Sequence, residues 1–147
     1  MYIGTKLVEA KPMNRCEYNL YRGWQLPEDE NPDDAGYLVI SADGYETWTP
    51  KAKFEADYRS TEGMPFGSAI ELMKSGFRVA RKGWNGKNQY IELASNISYV
   101  NTANEVVNSE HAAIGNKAIA FVGTSGVQMG WLASQADMLA EDWNIVE

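Results

Sequence analysis

The feature that most constrains the fold is an Asp-Gly dipeptide, Asp43-Gly44, which separates two β-prone runs at residues 36–41 (GYLVIS) and 45–48 (YETW). Two strands joined by so short a turn can pair only as an antiparallel hairpin. A second pair is predicted where residues 77–81 (FRVAR) and 89–93 (QYIEL) flank the turn 82–88 (KGWNGKN). The sequence therefore predicts small antiparallel sheets.

Short helices are predicted between the strands. Residues 14–22 precede Gly23, and residues 66–75 have helical apolar spacing before Gly76. Thr49-Pro50 resembles a capping residue followed by a first helical proline, and Ser134 with Asp137 resembles a capping box for residues 134–140. Tyr2, Ile3, Leu7 and Val8 predict a first strand that Pro12 ends, and further strands are predicted at 118–122, 127–132 and 143–146. The predicted class is α+β, a small antiparallel sheet with short helices.

Two parts of the chain are predicted to fold separately. Small, polar and helix-breaking residues cluster at 59–65 (RSTEGMP), which is typical of a boundary. We therefore predict an N-terminal α+β module at residues 1–60 and a ligand-binding domain at residues 64–147. Residues 94–117 are rich in Asn and Ser and are predicted to form an exposed insertion in the second domain.

Composition excludes several classes of protein. The 147 residues have a net charge of −7, which argues against non-specific binding to long nucleic acid because counterion release needs a basic surface. Cys16 is the only cysteine and His111 the only histidine, so neither a disulfide framework nor a His-Cys metal site is predicted. No run approaches the roughly 18 apolar residues of a membrane span. We expect a soluble cytoplasmic protein without metal or cofactor.

The first turn combines cations, an aromatic side chain and glycines. Residues 72–91 contain five Lys or Arg and no acidic residue, a local reversal of the overall charge. Arg81 can contact a phosphate, Trp84 can stack on a base, and Asn85 offers a donor and an acceptor. Alternatively, residues 83–86 form a plain hairpin loop whose Trp covers the edge of the sheet.

The second turn, residues 131–137 (WLASQAD), has a similar character. Trp131 precedes a predicted helix start, where free N–H groups attract anions, and Asp137 can accept from a ribose hydroxyl. The alternative is that Ser134 and Asp137 only cap their own helix. No Walker loop, dinucleotide glycine motif or Ser-His-Asp set is present. Aromatic, amide and cationic groups without an acid–base couple favour binding over turnover.

Two strings carry a family resemblance: FGSAIELMKSGFRVARKGWNG from Phe66 onward and GWLASQADMLAEDWNIV at the end. Over residues 64–95 and 118–147 the chain resembles the second Thoeris anti-defence family, phage proteins that sequester nucleotide immune signals. The resemblance implies non-catalytic capture of a cyclic ADP-ribose isomer by a homotetramer with pockets between subunits, inside the infected host. Some relatives also hold cyclic di- or trinucleotides at separate sites.

By motif, the resemblance assigns ligand contacts to Arg81, Trp84, Asn85, Trp131, Ser134 and Asp137. It extends less firmly to Phe66, Met138 and Trp143, which also suit a hydrophobic core. Compact relatives lack the 1–60 module and have a shorter middle segment, so the role of both additions stays open. Two other functions remain: a hydrolase acting on an ADP-ribose derivative with Asp137 or Asp142 as base, and a virion or host-interaction protein whose Trp residues form an interface.

Overall fold

The computed structural model describes residues 1–84, 88–108 and 117–147. These residues form two compact units, Met1–Arg59 and Ser60–Glu147. Each unit has its own antiparallel sheet and its own short helices. The predicted α+β class is therefore confirmed.

The N-terminal unit is a three-stranded sheet with two helices. Its elements are β1 (Glu9–Pro12), α1 (Arg15–Arg22), β2 (Gly36–Ile40), β3 (Glu46–Pro50) and α2 (Lys51–Asp57), and the strand order is β1-β2-β3. The Asp-Gly hairpin is confirmed: Gly44 has a φ of 83° and its N–H donates to Ser41 O at 2.8 Å. Asn14 caps α1 with Glu17, and Gly23 ends the helix in the left-handed conformation.

Two local predictions for this unit are wrong. Tyr2 and Ile3 do not lie in a strand but are fully exposed, because the first strand begins at Glu9, where the backbone finds a partner in β2. Thr49 does not cap α2. It pairs with Tyr37 in the sheet instead, so the helix begins one residue later, after Pro50, with no side-chain cap. In both places strand pairing decides the local conformation.

Aromatic stacking packs α2 against its hairpin. The Phe54 ring stacks on Tyr37 of β2 at a centroid distance of 4.2 Å and on Tyr58 at 4.9 Å. Phe54 therefore faces the hairpin, and Tyr58 extends the stack. On α1, Tyr18 is buried, whereas Tyr21 is exposed and donates its hydroxyl to Glu46.

The C-terminal unit has a five-stranded antiparallel sheet in the order β10-β4-β5-β8-β9. Its helices are α3 (Phe66–Lys74) and α4 (Gln135–Leu139), and its strands are β4 (Arg78–Arg81), β5 (Tyr90–Ser95), β6 (Ser98–Val100), β7 (Val106–Asn108), β8 (Lys117–Gly123), β9 (Gly126–Met129) and β10 (Trp143–Val146). The predicted helix at 66–75 and its stop at Gly76, with a φ of 96°, are confirmed.

The segment between β5 and β8 includes a separate two-stranded hairpin, β6–β7. Because β5 pairs directly with β8 through Ser95↔Lys117, the segment leaves and rejoins the sheet at one end. Tyr99, Val100 and Val106 are exposed on this hairpin. His111 lies outside the described residues.

Trp143 lies at the centre of the C-terminal core with no exposed surface. Around it α3 packs on the sheet through buried apolar side chains, namely Met64, Ala69, Met73, Val79 and Ile91. Met64 and Trp143 also exchange backbone hydrogen bonds of 2.7 and 3.1 Å. This arrangement brings the start of α3, the end of β4 and the chain around Asp142 together.

Candidate ligand site

The site is organised around Arg81, the last residue of β4. In the sheet Arg81 is paired with Trp143 of β10, so its side chain meets the segment that joins α4 to β10. Arg81 Nε donates to Asp142 Oδ1 at 2.9 Å, and Nη1 donates to Asp137 Oδ1 at 3.0 Å. These two hydrogen bonds, first that to Asp142 and then that to Asp137, raise the pKa of Arg81.

The Asp137 carboxylate accepts four hydrogen bonds from its own chain. Oδ1 accepts from Arg81 and, at 3.4 Å, from Trp84 Nε1, while Oδ2 accepts from the backbone N–H and the hydroxyl of Ser134 at 3.1 and 2.8 Å. Burial raises the pKa of Asp137, but the hydrogen bonds from Arg81, Ser134 and Trp84 outweigh burial, so the pKa lies below its usual value. Ser134 and Asp137 form the predicted capping box, which is confirmed.

Asp142 completes the network, although no local pattern in the sequence predicts this position. Its second oxygen, Oδ2, accepts from Gly83 N–H at 3.0 Å. The hydrogen bond from Arg81 lowers the pKa of Asp142, against a smaller opposing effect of burial, and the Gly83 bond lowers it further. In the sequence Asp142 stands out only as a carboxylate close to Asp137, a candidate base within the C-terminal family string; its contact with Arg81, 61 residues away, depends on the pairing of β10 with β4.

Three indoles and two phenyl rings form a cluster beside these charges. Trp84 contacts Trp143, Trp131 and Phe121 edge to face, at centroid distances of 5.3, 6.0 and 5.6 Å. Phe66 lies 5.2 Å from Trp143 and 6.4 Å from Trp131. Trp143 is fully buried, and its Nε1 donates to Asp137 O at 2.9 Å, whereas Trp84 and Trp131 are half-buried.

The structure thus brings together seven of the nine predicted residues: Arg81, Trp84, Trp131, Ser134, Asp137, Phe66 and Trp143. Asn85 lies outside the described residues. Met138 is 46% exposed on α4, where its backbone N–H donates to Ser134 O. Phe121 of β8 joins the cluster without having been predicted, because only the sheet order brings it beside Trp84.

Three of the basic residues in the segment 72–91 form ion pairs with carboxylates. Lys74 pairs with Glu71 at 2.8 Å, Arg78 pairs with Glu92 at 3.4 Å, and Arg81 contacts two aspartates. Three of the five basic residues in 72–91 are therefore paired with carboxylates, one of them only three residues away and the others 14 or more residues away in sequence. Arg81, Asp137 and Asp142 together carry one net negative charge.

The chemistry available here is recognition by ring faces, hydrogen bonds and charge. Both aspartates are ionised near neutrality, and their lowered pKa values make them weak bases. Within residues 1–84, 88–108 and 117–147, no group of three His, Cys, Asp or Glu could hold a metal ion. In the same part of the chain no helix has the length and apolar character needed to cross a membrane.

Fold and site together define a small α+β domain in which a five-stranded antiparallel sheet supports a tryptophan cluster bounded by an Arg-Asp-Asp network. Residues 64–146 match the model of the Thoeris anti-defense 2-like domain, and the chain belongs to this family. The chain is also similar to Thoeris anti-defense 2 of Bacillus phage SP01, with 40% identity over 88 residues, covering 56% of this chain and 94% of the phage protein.

The family match covers most of the C-terminal unit and none of the N-terminal unit. With 94% of its length already aligned, the phage protein has no room for a counterpart of the whole Met1–Arg59 unit. The family match includes residues 94–117 and all the described site residues. Family membership supports a role in phage anti-defence, and the site lies within the shared domain.

Proposed function

We propose that this protein captures a cyclic ADP-ribose-type second messenger of a bacterial defence system and holds it without cleaving it. In this proposal Trp84 and Trp131 contact the base, and the segments around Arg81, Asn85, Ser134 and Asp137 surround the ribose and phosphate groups. The role supported by family membership is coarser, namely anti-defence. The ligand, its site and its fate are the proposal.

Two half-buried indoles support recognition of a planar ligand. The rings of Trp84 and Trp131 meet at an interplanar angle of 67°, so a ring that stacks on one meets the other obliquely. Stacking of a base on an aromatic side chain contributes about 1–3 kcal/mol. Their contacts with the buried Trp143 hold both rings in place, which lowers the entropy lost on binding.

The non-catalytic part of the proposal rests on the four hydrogen bonds that the Asp137 carboxylate already accepts. Its carboxylate accepts from Arg81, Trp84 and Ser134 at once, and its pKa is lowered. A general base needs a free lone pair and a pKa near the working pH. Asp137 instead ties the two turns together, which favours a rigid binding site over a hydrolase.

The net charge of the site is unfavourable for a phosphate ligand unless other cations lie close by. A ligand with two phosphates would meet one net negative charge at Arg81, Asp137 and Asp142, so further cations are required. Exposed Lys82 lies in the same turn, and a second subunit is another source. The family resemblance implies a homo-oligomer, expected to be a tetramer, with pockets between subunits, and we include this assembly in the proposal. A separate site for cyclic di- or trinucleotides and action in the host cytoplasm belong to the same proposal.

Incubation with a panel of cyclic ADP-ribose isomers and cyclic dinucleotides, followed by heat denaturation, tests the proposal. We expect one ligand to disappear from solution and to be released intact on heating. Release of a converted product would mean a hydrolase. No depletion of any nucleotide would contradict both and leave a virion or host-interaction protein. Silencing a messenger requires roughly nanomolar affinity, about −12 kcal/mol.

Two variants test the residues. We expect Trp84→Ala to lose capture because it removes a stacking face, and Asp137→Ala to lose capture because it frees Arg81, Trp84 and Ser134. Trp24→Ala, at a 52% exposed indole in the N-terminal unit, is the matched control and should bind normally. Size-exclusion chromatography checks that each variant keeps the assembly of the wild type. Normal capture by either site variant removes that residue from the proposed site.

A further inference from the structure

Gly83, between Arg81 and Trp84, has no conformational reason to be glycine. Its φ is not among the positive values found at other glycines such as Gly76 and Gly130, so a larger residue could adopt its backbone conformation. A Cβ atom at Gly83, however, would lie 3.1 Å from Asp142 Oδ2. The space beside Gly83 is therefore taken by a carboxylate.

Asp142 contacts three consecutive residues of the turn. Its Oδ1 accepts from Arg81 Nε at 2.9 Å, its Oδ2 accepts from Gly83 N–H at 3.0 Å, and its backbone carbonyl accepts from Lys82 N–H at 3.1 Å. Trp84 N–H closes the turn onto Arg81 O at 3.3 Å. Asp142 thus holds the Arg81 side chain and the two backbone N–H groups, of Lys82 and Gly83, that directly precede Trp84.

We propose that Asp142 is a positioning residue for Trp84 and that residue 83 is glycine because the Asp142 carboxylate must approach the backbone there. The importance of this placement for capture rests on the proposed function; the placement itself does not. Asp137 holds the indole end of Trp84 through Nε1, whereas Asp142 holds the backbone end, so the ring is fixed at both ends.

Asp142→Asn tests the proposal with little change in size. An amide has one carbonyl oxygen and no charge, so it cannot accept from Arg81 and Gly83 as the carboxylate does. We expect the Gly83 amide to exchange with solvent roughly tenfold faster or more, since bonds to charged acceptors are the stronger ones. The Trp84 indole N–H resonance should also shift. Asp57→Asn, at the exposed Lys53 pair, is the charge-matched control and should alter neither signal.

Gly83→Ala tests the same contact by changing residue 83 and leaving Asp142 in place. The new methyl would lie 3.1 Å from Asp142 Oδ2, so this oxygen must move by a few tenths of an ångström. Because that oxygen is held by Gly83 N–H, we expect a change in the Trp84 signal in the same direction and about tenfold weaker capture. In an Asp142→Ala background the methyl meets no carboxylate, and Gly83→Ala should then add little further loss. Gly63→Ala is the matched control, because its Cβ would lie an ordinary 3.7 Å from Glu141 O.

The readouts separate the two proposals. If the wild type captures no nucleotide but Asp142→Asn accelerates Gly83 exchange and moves the Trp84 resonance, the proposed function fails and the positioning role stands. An unchanged Gly83 exchange rate and Trp84 resonance in Asp142→Asn would overturn the positioning role. If Gly83→Ala weakens capture by the same factor in the wild type and in the Asp142→Ala background, the Asp142 carboxylate is not the reason that residue 83 is glycine. If Asp142→Asn fails to fold, Gly83→Ala gives the same test.

Discussion

Each unit of the molecule contains an arginine between two carboxylates and close to an indole, but the two arrangements differ. In the N-terminal unit Arg15 contacts Glu30 at 2.9 Å and Asp34 at 3.6 Å, and its guanidinium lies 4.4 Å from the Trp48 ring. These carboxylates belong to one loop, are 35% and 48% exposed, and accept little else among the described residues. Arg15 therefore anchors a loop.

In the C-terminal unit the same residue types form a closed network. Asp137 and Asp142 come from a helix and from the approach to a strand, and each carboxylate also accepts hydrogen bonds from other residues. The presence of the same residue types is therefore not enough to define a site. What distinguishes the Arg81 network is that each partner fixes a second element, so that the positions of Trp84 and α4 depend on it.

The largest effect is expected from removing the ring at the centre of the C-terminal unit. Trp143→Ala leaves a large cavity under Trp84, Trp131 and Phe66, and should cost about 3–5 kcal/mol of unfolding free energy. Urea unfolding followed by Trp fluorescence measures it. Trp48→Ala, at a partly exposed indole, is the comparison and should cost clearly less. Equal losses of unfolding free energy from Trp143→Ala and Trp48→Ala would contradict the central role of Trp143.

Replacing each arginine tests the comparison directly. Arg81→Ala leaves Asp137 and Asp142 without their shared cation and should cost about 1.5–3 kcal/mol, besides abolishing capture. Arg15→Ala removes a half-buried ion pair to a single loop and a cation–π contact and should cost about 1 kcal/mol, with capture intact. Chemical denaturation and binding measurements on the same samples check both. A larger stability loss from Arg15→Ala would reverse the comparison.

Acid should weaken the Arg81 network selectively. Because the folded pKa of Asp142 lies below its unfolded value, its ionised form stabilises the fold at pH above about 4, and this contribution is lost as the pH falls through the folded pKa. We therefore expect Asp142→Asn to be less stable than the wild type at pH 7 and the difference to shrink below about pH 4. Asp34→Asn, which removes a carboxylate beside Arg15, is the control for a change in net charge. A constant difference for Asp142→Asn would contradict the prediction.

The smallest effect is expected at an ion pair outside both networks. Lys53 and Asp57 lie four residues apart on α2, with side chains 68% and 49% exposed. Lys53→Ala should change the unfolding free energy less than either arginine substitution does, because the pair is solvent-screened, and salt should remove even this small change. Thermal unfolding at low and high salt gives the value, which marks the lower end of the scale on which Arg15 and Arg81 are compared.

Local features were predictable where a few neighbouring residues decide the conformation. The Asp43-Gly44 hairpin, the α1 stop at Gly23 and the capping box of Ser134 with Asp137 depend on contacts within about four residues, and all three are confirmed. The first strand and the start of α2 were wrong because their positions depend on pairing with β2. Strand pairing outweighed local propensity there.

Patterns among neighbouring residues predicted the α+β class and the two turns that contain the candidate ligand residues, and two longer motifs predicted the family. The pairing of Arg81 with Asp137 and Asp142, the place of Phe121 beside the indoles and the burial of Trp143 are visible only in the folded chain. The difference follows from distance along the chain. A capping box or a hairpin forms between neighbours, whereas the Arg81 network requires β10 to pair with β4, which no local pattern in either strand specifies.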